Sequence, residues 1–150
     1  EYIEEKESMG TADSLRLAKG KLKSSFLVVY GDIIFDKLNI EEFWNEHLKR
    51  RGLSTLLLTA TPTPTKKGVV KIEGSKILEF IQKPKETDVY LGFSSVFVSE
   101  PELLEYPGNS LETEVFPVLA KKSLLNGYVS TTSVIKVHTT EDFKPRIDNL

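Results

Sequence analysis

Asp32 has the position that a metal-binding carboxylate takes in an α/β protein. It follows Gly31 at the end of an apolar run over residues 26–30, which is typical of a strand covered on both faces. Ligands of open α/β sheets bind beyond the carboxyl ends of the strands. A carboxylate placed there can hold Mg²⁺, which takes oxygen ligands and bridges phosphates. The alternative is a plain turn residue, since Gly-Asp is common in turns. The nearby Asp36 is expected to cap the next helix.

The pair Gly10-Thr11 stands where a helical pattern begins. Glycine lets a ligand or another backbone approach closely, and the first N–H groups of a helix can bind a polar or anionic group. The pair therefore fits a ligand-contacting turn. An ordinary helix start, with Ser8 or Thr11 as the capping side chain, accounts for the same residues.

Lys83, within Gln82-Lys83-Pro84, is a third candidate. The compact ammonium of a lysine suits a phosphate as a point charge, and the amide of Gln82 can hydrogen-bond a hydroxyl. A solvated lysine at a strand end is the alternative. His47 and His138 have no partner at metal-ligand spacing, and His47 is expected on the core-facing side of a helix.

The candidates depend on the elements around them. Helical spacing predicts helices over residues 10–22 and 40–51, and apolar runs predict strands over 26–30 and 53–60. Gly74-Ser75 separates two strand-like runs, which predicts a hairpin. The predicted strands are residues 2–4, 26–30, 53–60, 68–73, 76–82, 89–98, 127–132 and 133–137, and the later predicted helices are 101–106, 112–125 and 140–144.

This order of elements predicts an α/β domain. Alternation of strands and helices in the first part is typical of a parallel sheet, and the hairpin indicates a mixed extension. We expect a Rossmann-like, mixed and mainly parallel sheet flanked by helices. The 150 residues suit one domain over residues 1–150.

Composition excludes several classes of function. The net charge of −2 offers neither a basic patch for nucleic acid or membrane surfaces nor an acidic tail. The absence of cysteine excludes disulfides and thiolate metal sites. There is no apolar run of membrane-spanning length, and the acidic, polar residues 1–6 are not expected to be a signal peptide. A cytoplasmic location fits these features.

Four segments in fixed order resemble the sugar-phosphate nucleotidyltransferases. These enzymes join a nucleoside triphosphate to a sugar 1-phosphate, as glucose-1-phosphate thymidylyltransferases and mannose-1-phosphate guanylyltransferases do. The segments are residues 4–15, 26–32, 68–84 and 111–120, the last followed by 139–143. The order and spacing of the segments, which cover nearly the whole chain, make the resemblance specific, and it implies a nucleotide-diphospho-sugar transferase type of fold.

The resemblance implies a role for each candidate. Gly10, Thr11 and Gly31 would contact the nucleotide, and Asp32 would hold Mg²⁺ as a catalytic residue. Lys83, also catalytic, would bind the sugar phosphate together with Gln82. A sugar-phosphate oxygen would attack the α-phosphorus and release pyrophosphate, with catalysis resting on positioning and charge neutralisation. The implied partners are a nucleoside triphosphate and a sugar 1-phosphate, or the nucleotide sugar.

An absent loop and three single positions depart from the pattern that the resemblance implies. A Gly-rich G-G-x-G-T-R loop, which would wrap the triphosphate, is absent. Lys136 stands where the family has a second metal-binding aspartate. Phe93, in Phe93-Ser94-Ser95, replaces the asparagine of a sugar-binding Asn-Ala-Gly turn, and Gln82 replaces a glutamate. These changes favour a diverged or degenerate member, and the chain alone is expected to be inactive.

The absent opening segment also has a structural consequence. The first strand of a doubly wound sheet is usually central, so the strand over residues 26–30 would lack a neighbour and leave an edge open. We therefore expect an N-terminally incomplete domain that pairs with another copy or a partner, or that is a piece of a longer enzyme. The alternative function is a non-catalytic sugar-nucleotide-binding or regulatory module.

Overall fold

Six strands form a mixed sheet with helices on both faces. The computed structural model describes residues 1–137 and 139. The strands are β1 (Phe26–Val29), β3 (Ser54–Ala60), β4 (Gly68–Glu73), β5 (Lys76–Gln82), β6 (Leu91–Ser99) and β7 (Leu125–Val129), in the order β1-β6-β3-β7-β5-β4. A separate two-stranded sheet, which the sequence did not predict in full, pairs β2 (Ile33–Phe35) with β8 (Val134–Lys136).

The expected mixed α/β fold is confirmed, but the expectation that parallel pairs dominate is wrong. Among the strand pairs of the described residues, only β3 and β7 are parallel. The reason is that β6 runs back between β1 and β3 and pairs antiparallel with both. The two strands of the expected parallel unit therefore point the same way without touching each other.

The described residues form three α-helices beside the sheet: α1 (Thr11–Arg16), α2 (Ile40–Lys49) and α3 (Phe116–Lys121). The side chain of Asn39 caps α2 by accepting from the Glu42 N–H at 3.0 Å, so the expectation that Asp36 caps this helix is wrong. The first helix ends at Arg16, six residues earlier than predicted, and continues in turns. The predicted helices over residues 101–106 and 112–125 are a 3₁₀ helix, Pro101–Glu105, and a π-helical turn, Leu111–Val115, that leads into α3.

The sheet has an apolar core on each face. On one face, α2 places Phe43 against Leu57 and Val98. On the other face, Phe97 and Phe116 belong to a larger cluster, to which the π-helical turn and α3 contribute. The continuous apolar run of β3 is explained by burial on both faces.

Some predictions on the ends of elements need correction. Residues 2–4 lie outside any strand, and β7 begins two residues earlier and ends three residues earlier than predicted. Both strands of the predicted hairpin are confirmed, with Gly74 in the turn at φ +56°. His138 and the predicted helix over residues 140–144 lie outside the described residues.

β1 is an edge strand in the described part of the chain, where it pairs with β6 alone. Val29 in this strand is 44% exposed, so the run over residues 26–30 is less covered than its apolar composition predicts. The open edge agrees with the expected lack of a neighbour. None of the helices in the described residues is both long and apolar enough to cross a membrane.

Candidate functional site

A cavity of about 530 Å³ lies between the start of α1 and the end of β1. We call it the Gly10 cavity. It brings together the predicted nucleotide-contacting residues and the predicted metal ligand: the lining residues are Ser8, Gly10, Thr11, Ser14, Leu15, Val28, Tyr30, Gly31, Asp32 and Leu111. Its wall is mostly apolar with a few polar groups, as is usual in small-molecule sites.

Gly10 has a backbone conformation and a neighbour that both require glycine. Its φ is +101°, and an added Cβ would lie 2.6 Å from the Asn109 carbonyl oxygen. Asn109 O in turn accepts from the Ala12 N–H at 2.9 Å, which ties the start of α1 to the segment before the π-helical turn. Neither Ser8 nor Thr11 caps α1 within the described residues, so the alternative of an ordinary capped helix start is wrong.

Glu112 joins the elements around the Gly10 cavity. Its carboxylate accepts from the Tyr30 hydroxyl at 2.6 Å and from the Thr11 hydroxyl at 2.7 Å. Thr11 Oγ1 also accepts from the Leu111 N–H at 2.8 Å. Burial raises the pKa of Tyr30 well above its usual range, and the neighbouring Glu112 carboxylate raises it further. Tyr30 is therefore a neutral hydrogen-bond donor at any physiological pH.

Asp32 is held on one side only. Its Oδ2 lies 3.2 Å from Lys136 Nζ, while its Oδ1 is buried without a hydrogen-bond partner among residues 1–137 and 139. The same residues contain no group of three acidic, histidine or cysteine side chains that could hold a metal. A free carboxylate oxygen still fits Mg²⁺ where the ion is held by one carboxylate, water and substrate phosphates.

A second cavity of about 280 Å³ lies beside the first. We call it the lysine cavity because Lys66, Lys67, Lys83 and Lys136 all line it. Tyr30 lines both cavities, and the Lys136–Asp32 ion pair connects the lysine cavity to Asp32 in the Gly10 cavity. The structure brings Asp32, Gly10 and Lys83 to adjoining cavities that share Tyr30. It places Asp32 with Gly10, and Lys83 in the adjoining cavity.

The lysine cavity contains cations without anionic partners. No carboxylate of the described residues is within ion-pair distance of Lys66, Lys67 or Lys83. Burial lowers the pKa of Lys67, and the nearby charge of Lys136 lowers it further. A cavity of this kind attracts an anion.

Backbone strain and an unpaired amide oxygen mark the same cavity. Lys83 and Ser95 both line it and have positive φ, +46° and +60°, although neither is glycine. Such conformations cost about 1–3 kcal/mol each and collect at ligand-binding positions. Gln82 also lines the cavity. Its Oε1 is buried and has no hydrogen-bond partner in the described part of the chain. The strain and the unpaired oxygen are both expected of a site prepared for a ligand.

Phe93 does not act as a polar recognition residue. It is 6% exposed and lies at the centre of an aromatic cluster beneath the lysine cavity. Its ring is 5.6–6.3 Å, between centroids, from those of Tyr30, Phe80, Phe97 and Phe116. The neighbouring Ser94 is likewise occupied, because its hydroxyl bonds Thr59 at 2.6 Å.

The sequence located some of these residues and missed others. Gly10, Thr11, Gly31 and Asp32 line one cavity, and Gln82 and Lys83 line the other. Lys67 and Tyr30 were not singled out, although Lys67 directly precedes β4 and Tyr30 directly precedes Gly31. Glu112 stood in a segment that carried the resemblance, but only the structure brings it to Thr11 and Tyr30.

Comparison with known proteins identifies the family. Residues 1–137 match the model of a family described as nucleotidyl transferase. The chain is 34% identical over 134 residues to the mannose-1-phosphate guanylyltransferase catalytic subunit beta of Dictyostelium discoideum, and 31% identical over 133 residues to the mannose-1-phosphate guanyltransferase of Saccharomyces cerevisiae. These alignments cover 83% of this chain in each case, and 36% and 37% of the relatives. The chain belongs to the nucleotidyl transferase family, as the sequence predicted.

Solved structures agree with the fold. A Bacillus anthracis protein described as a glucose-1-phosphate thymidylyltransferase, in complex with a sucrose, superposes with a TM-score of 0.82 at 20% identity, over 94% of this chain and 61% of that one. HddC from Yersinia pseudotuberculosis, complexed with GMP-PN, gives a TM-score of 0.75 at 18% identity, over 97% of this chain and 64% of that one. This chain thus spans less than two thirds of the length of each protein compared here.

Proposed function

We propose that this chain is the part of a sugar-phosphate nucleotidyltransferase that holds the nucleotide in the Gly10 cavity and the sugar 1-phosphate in the lysine cavity. The observation that carries the proposal is the position of Asp32 between them. It lines the Gly10 cavity, and through Lys136 it contacts the lysine cavity. Two phosphate-bearing ligands in these cavities would meet at this carboxylate.

The residues of the Gly10 cavity support nucleotide binding. Leu15, Val28 and Leu111 offer an apolar wall for a base, while Gly10 and Thr11 line the same cavity at the start of α1. Since the relatives include guanylyltransferases and a structure complexed with GMP-PN, GTP is the nucleotide that we propose. Glu112 fixes the Tyr30 and Thr11 hydroxyls in the wall of the cavity.

Asp32 is the residue that would hold Mg²⁺, through its unpaired Oδ1. A bound Mg²⁺ would neutralise phosphate charge and orient the phosphates for attack. The side chains themselves position the ligands: Lys136 remains fixed by Asp32 Oδ2, and Lys83 faces the sugar phosphate from the end of β5. The reaction in the whole protein would be attack of a sugar-phosphate oxygen on the α-phosphorus, with release of pyrophosphate.

Calorimetric titration of the chain with GTP tests the nucleotide site. We expect Mg²⁺ to strengthen GTP binding to the unaltered chain and to have no such effect in Asp32→Asn. Asp36→Asn is the matched control, since Asp36 is an exposed carboxylate close in sequence that lines neither cavity. An equal loss of the Mg²⁺ effect in both variants, or no GTP binding at all, would refute the assignment.

The second candidate is a binding module without catalysis. The ion pair between Lys136 and Asp32 favours it, because the ammonium occupies one of the two oxygens that could ligate a metal. Pyrophosphate release from GTP and mannose 1-phosphate separates the two functions. Release that depends on Asp32 supports the enzyme, whereas ligand binding without release supports the module.

A further inference from the structure

The positive charge of the lysine cavity exceeds the negative charge that the neighbouring carboxylates supply. Lys66, Lys67, Lys83 and Lys136 line it, and Glu112 is the carboxylate in the lining. Asp32 pairs with Lys136 from the adjoining cavity. Four lysine charges against these two carboxylates leave an excess of two positive charges. A phosphate monoester, which carries about −1.5 to −2 charge at neutral pH, would balance that excess.

We propose that the lysine cavity binds the phosphate of a small phosphorylated sugar directly, through Lys67 and Lys136, and that this binding requires no divalent cation. The sugar part of the inference rests on the proposed function. The phosphate part rests on the cavity itself.

The two lysines are arranged for this task. Lys136 is already positioned, because Asp32 Oδ2 holds its ammonium at 3.2 Å while 45% of the side chain remains exposed. Lys67 is half-buried, and its backbone carbonyl accepts from the Lys83 N–H at 2.9 Å, which fixes the end of the β4–β5 hairpin. The like charges of Lys67 and Lys136 repel each other across the cavity. An anion between them removes that repulsion and forms charge-assisted hydrogen bonds.

The cavity also limits the size and type of the ligand. Its volume of about 280 Å³ is near the lower end of the usual range for ligand pockets, which suits one small sugar phosphate better than a nucleotide. Gln82 Oε1, buried and unpaired among the described residues, can accept from a sugar hydroxyl. The Ser95 hydroxyl, on a residue held at φ +60°, is a further polar group in the lining.

The test is calorimetric titration of the chain with mannose 1-phosphate, once in EDTA and once in Mg²⁺. We expect Kd values that agree within about threefold, because the ammonium groups of Lys67 and Lys136 supply the charge. Lys67→Met and Lys136→Met should each weaken binding roughly tenfold or more, the effect of losing one charge-assisted bond. Lys67→Arg and Lys136→Arg should retain most of the affinity. Lys71→Met is the control, since Lys71 pairs with Glu79 on an exposed strand surface.

Two further probes separate the parts of the inference. Inorganic phosphate should bind more weakly than mannose 1-phosphate but with the same dependence on Lys67 and Lys136. Mannose binding as tight as that of mannose 1-phosphate would overturn the inference, as would binding seen only with Mg²⁺ or equal affinities of Lys67→Met and Lys71→Met. GTP binding without any mannose 1-phosphate binding would overturn this inference and leave the nucleotide site intact. Failure of both ligands to bind would overturn the proposed function as well.

Discussion

At the end of the sheet where β1 and β3 begin, buried polar side chains are paired with one another. At the opposite end, where β1 stops, Asp32 and Gln82 each have a buried oxygen without a partner among the described residues. At the end where β1 and β3 begin, His47 Nδ1 lies 2.8 Å from Thr55 Oγ1 and His47 Nε2 lies 3.1 Å from Glu100 Oε1. Glu100 also accepts from Ser25 at 2.7 Å. One oxygen at the paired end, Asn126 Oδ1, is also unpartnered in the described residues.

The two ends of the sheet use their buried polar groups differently: one for the stability of the fold and the other for binding a ligand. A buried polar group without a partner costs about 1–3 kcal/mol, so a fold retains such groups where a ligand completes them. The end with His47 uses its hydrogen bonds to hold β3, β6 and α2 together. The end with Asp32 leaves atoms available, and its stability must come from the apolar residues beneath it.

The largest expected effect concerns that apolar support. Phe93→Ala should lower the free energy of unfolding by about 3–5 kcal/mol, because it removes the centre of the aromatic cluster under the lysine cavity. Urea denaturation measures the loss. Tyr90→Ala, at a position 59% exposed, is the control and should change stability little. A small effect of Phe93→Ala would mean that the end of the sheet with Asp32 does not depend on the aromatic cluster for its stability.

Thr55→Val should have the next largest effect. The substitution keeps the shape of the side chain but removes the hydroxyl that bonds the buried Nδ1 of His47. We expect a loss of about 1–3 kcal/mol in unfolding free energy, measured by urea denaturation. Thr87→Val is a comparison at a half-buried threonine whose hydroxyl accepts only a nearby backbone N–H, from Val89. Equal losses in the two variants would show that the His47 network is not a special support.

Glu114→Gln should have a smaller effect that depends on pH. The backbone N–H groups of Ser110 and Asn109 hold the pKa of Glu114 below its usual value of 4.5. A lowered pKa contributes stability above the usual pKa, and this contribution is lost as pH falls through the lowered pKa. The variant should therefore have the lower Tm at neutral pH and the same Tm in strong acid. A Tm difference that persists in strong acid would contradict this origin.

Asp32→Asn should have the smallest effect on stability. The Lys136–Asp32 pair is partly exposed, so its loss should change the unfolding free energy by no more than about 0.5 kcal/mol. Urea denaturation beside Thr55→Val makes the comparison direct. A loss as large as that of Thr55→Val would mean that Asp32 is a structural residue.

Local patterns in the sequence predicted several elements closely and misplaced others. The ends of β4 and β5 follow from the Gly74 turn, and α2 and β3 follow from helical spacing and a continuous apolar run. The same patterns could not predict the sheet order. The insertion of β6 between β1 and β3 is decided by packing between residues about 30–75 apart in the chain, for which spacing carries no signal.

The candidate site was predictable where the resemblance supplied its residues. Gly10 and Asp32 line one cavity and Lys83 lines the adjoining one, a distinction that the sequence did not predict. Lys67 and Lys136 meet only in the folded chain, because the β4–β5 hairpin and β8 bring distant segments to one cavity. Phe93 could be recognised as unsuited to bind a hydroxyl, but its place in the aromatic cluster required the structure.

The central claim is that two adjoining cavities bind separate ligands. The most direct test is to record backbone amide chemical shifts while the chain is titrated with each ligand. GTP should shift the amides of Gly10, Thr11 and Gly31, and mannose 1-phosphate those of Lys67, Gly68 and Lys83. The residues around His47 should not move with either ligand. Shifts of one common set of amides by both ligands, or shifts centred on His47, would contradict the account.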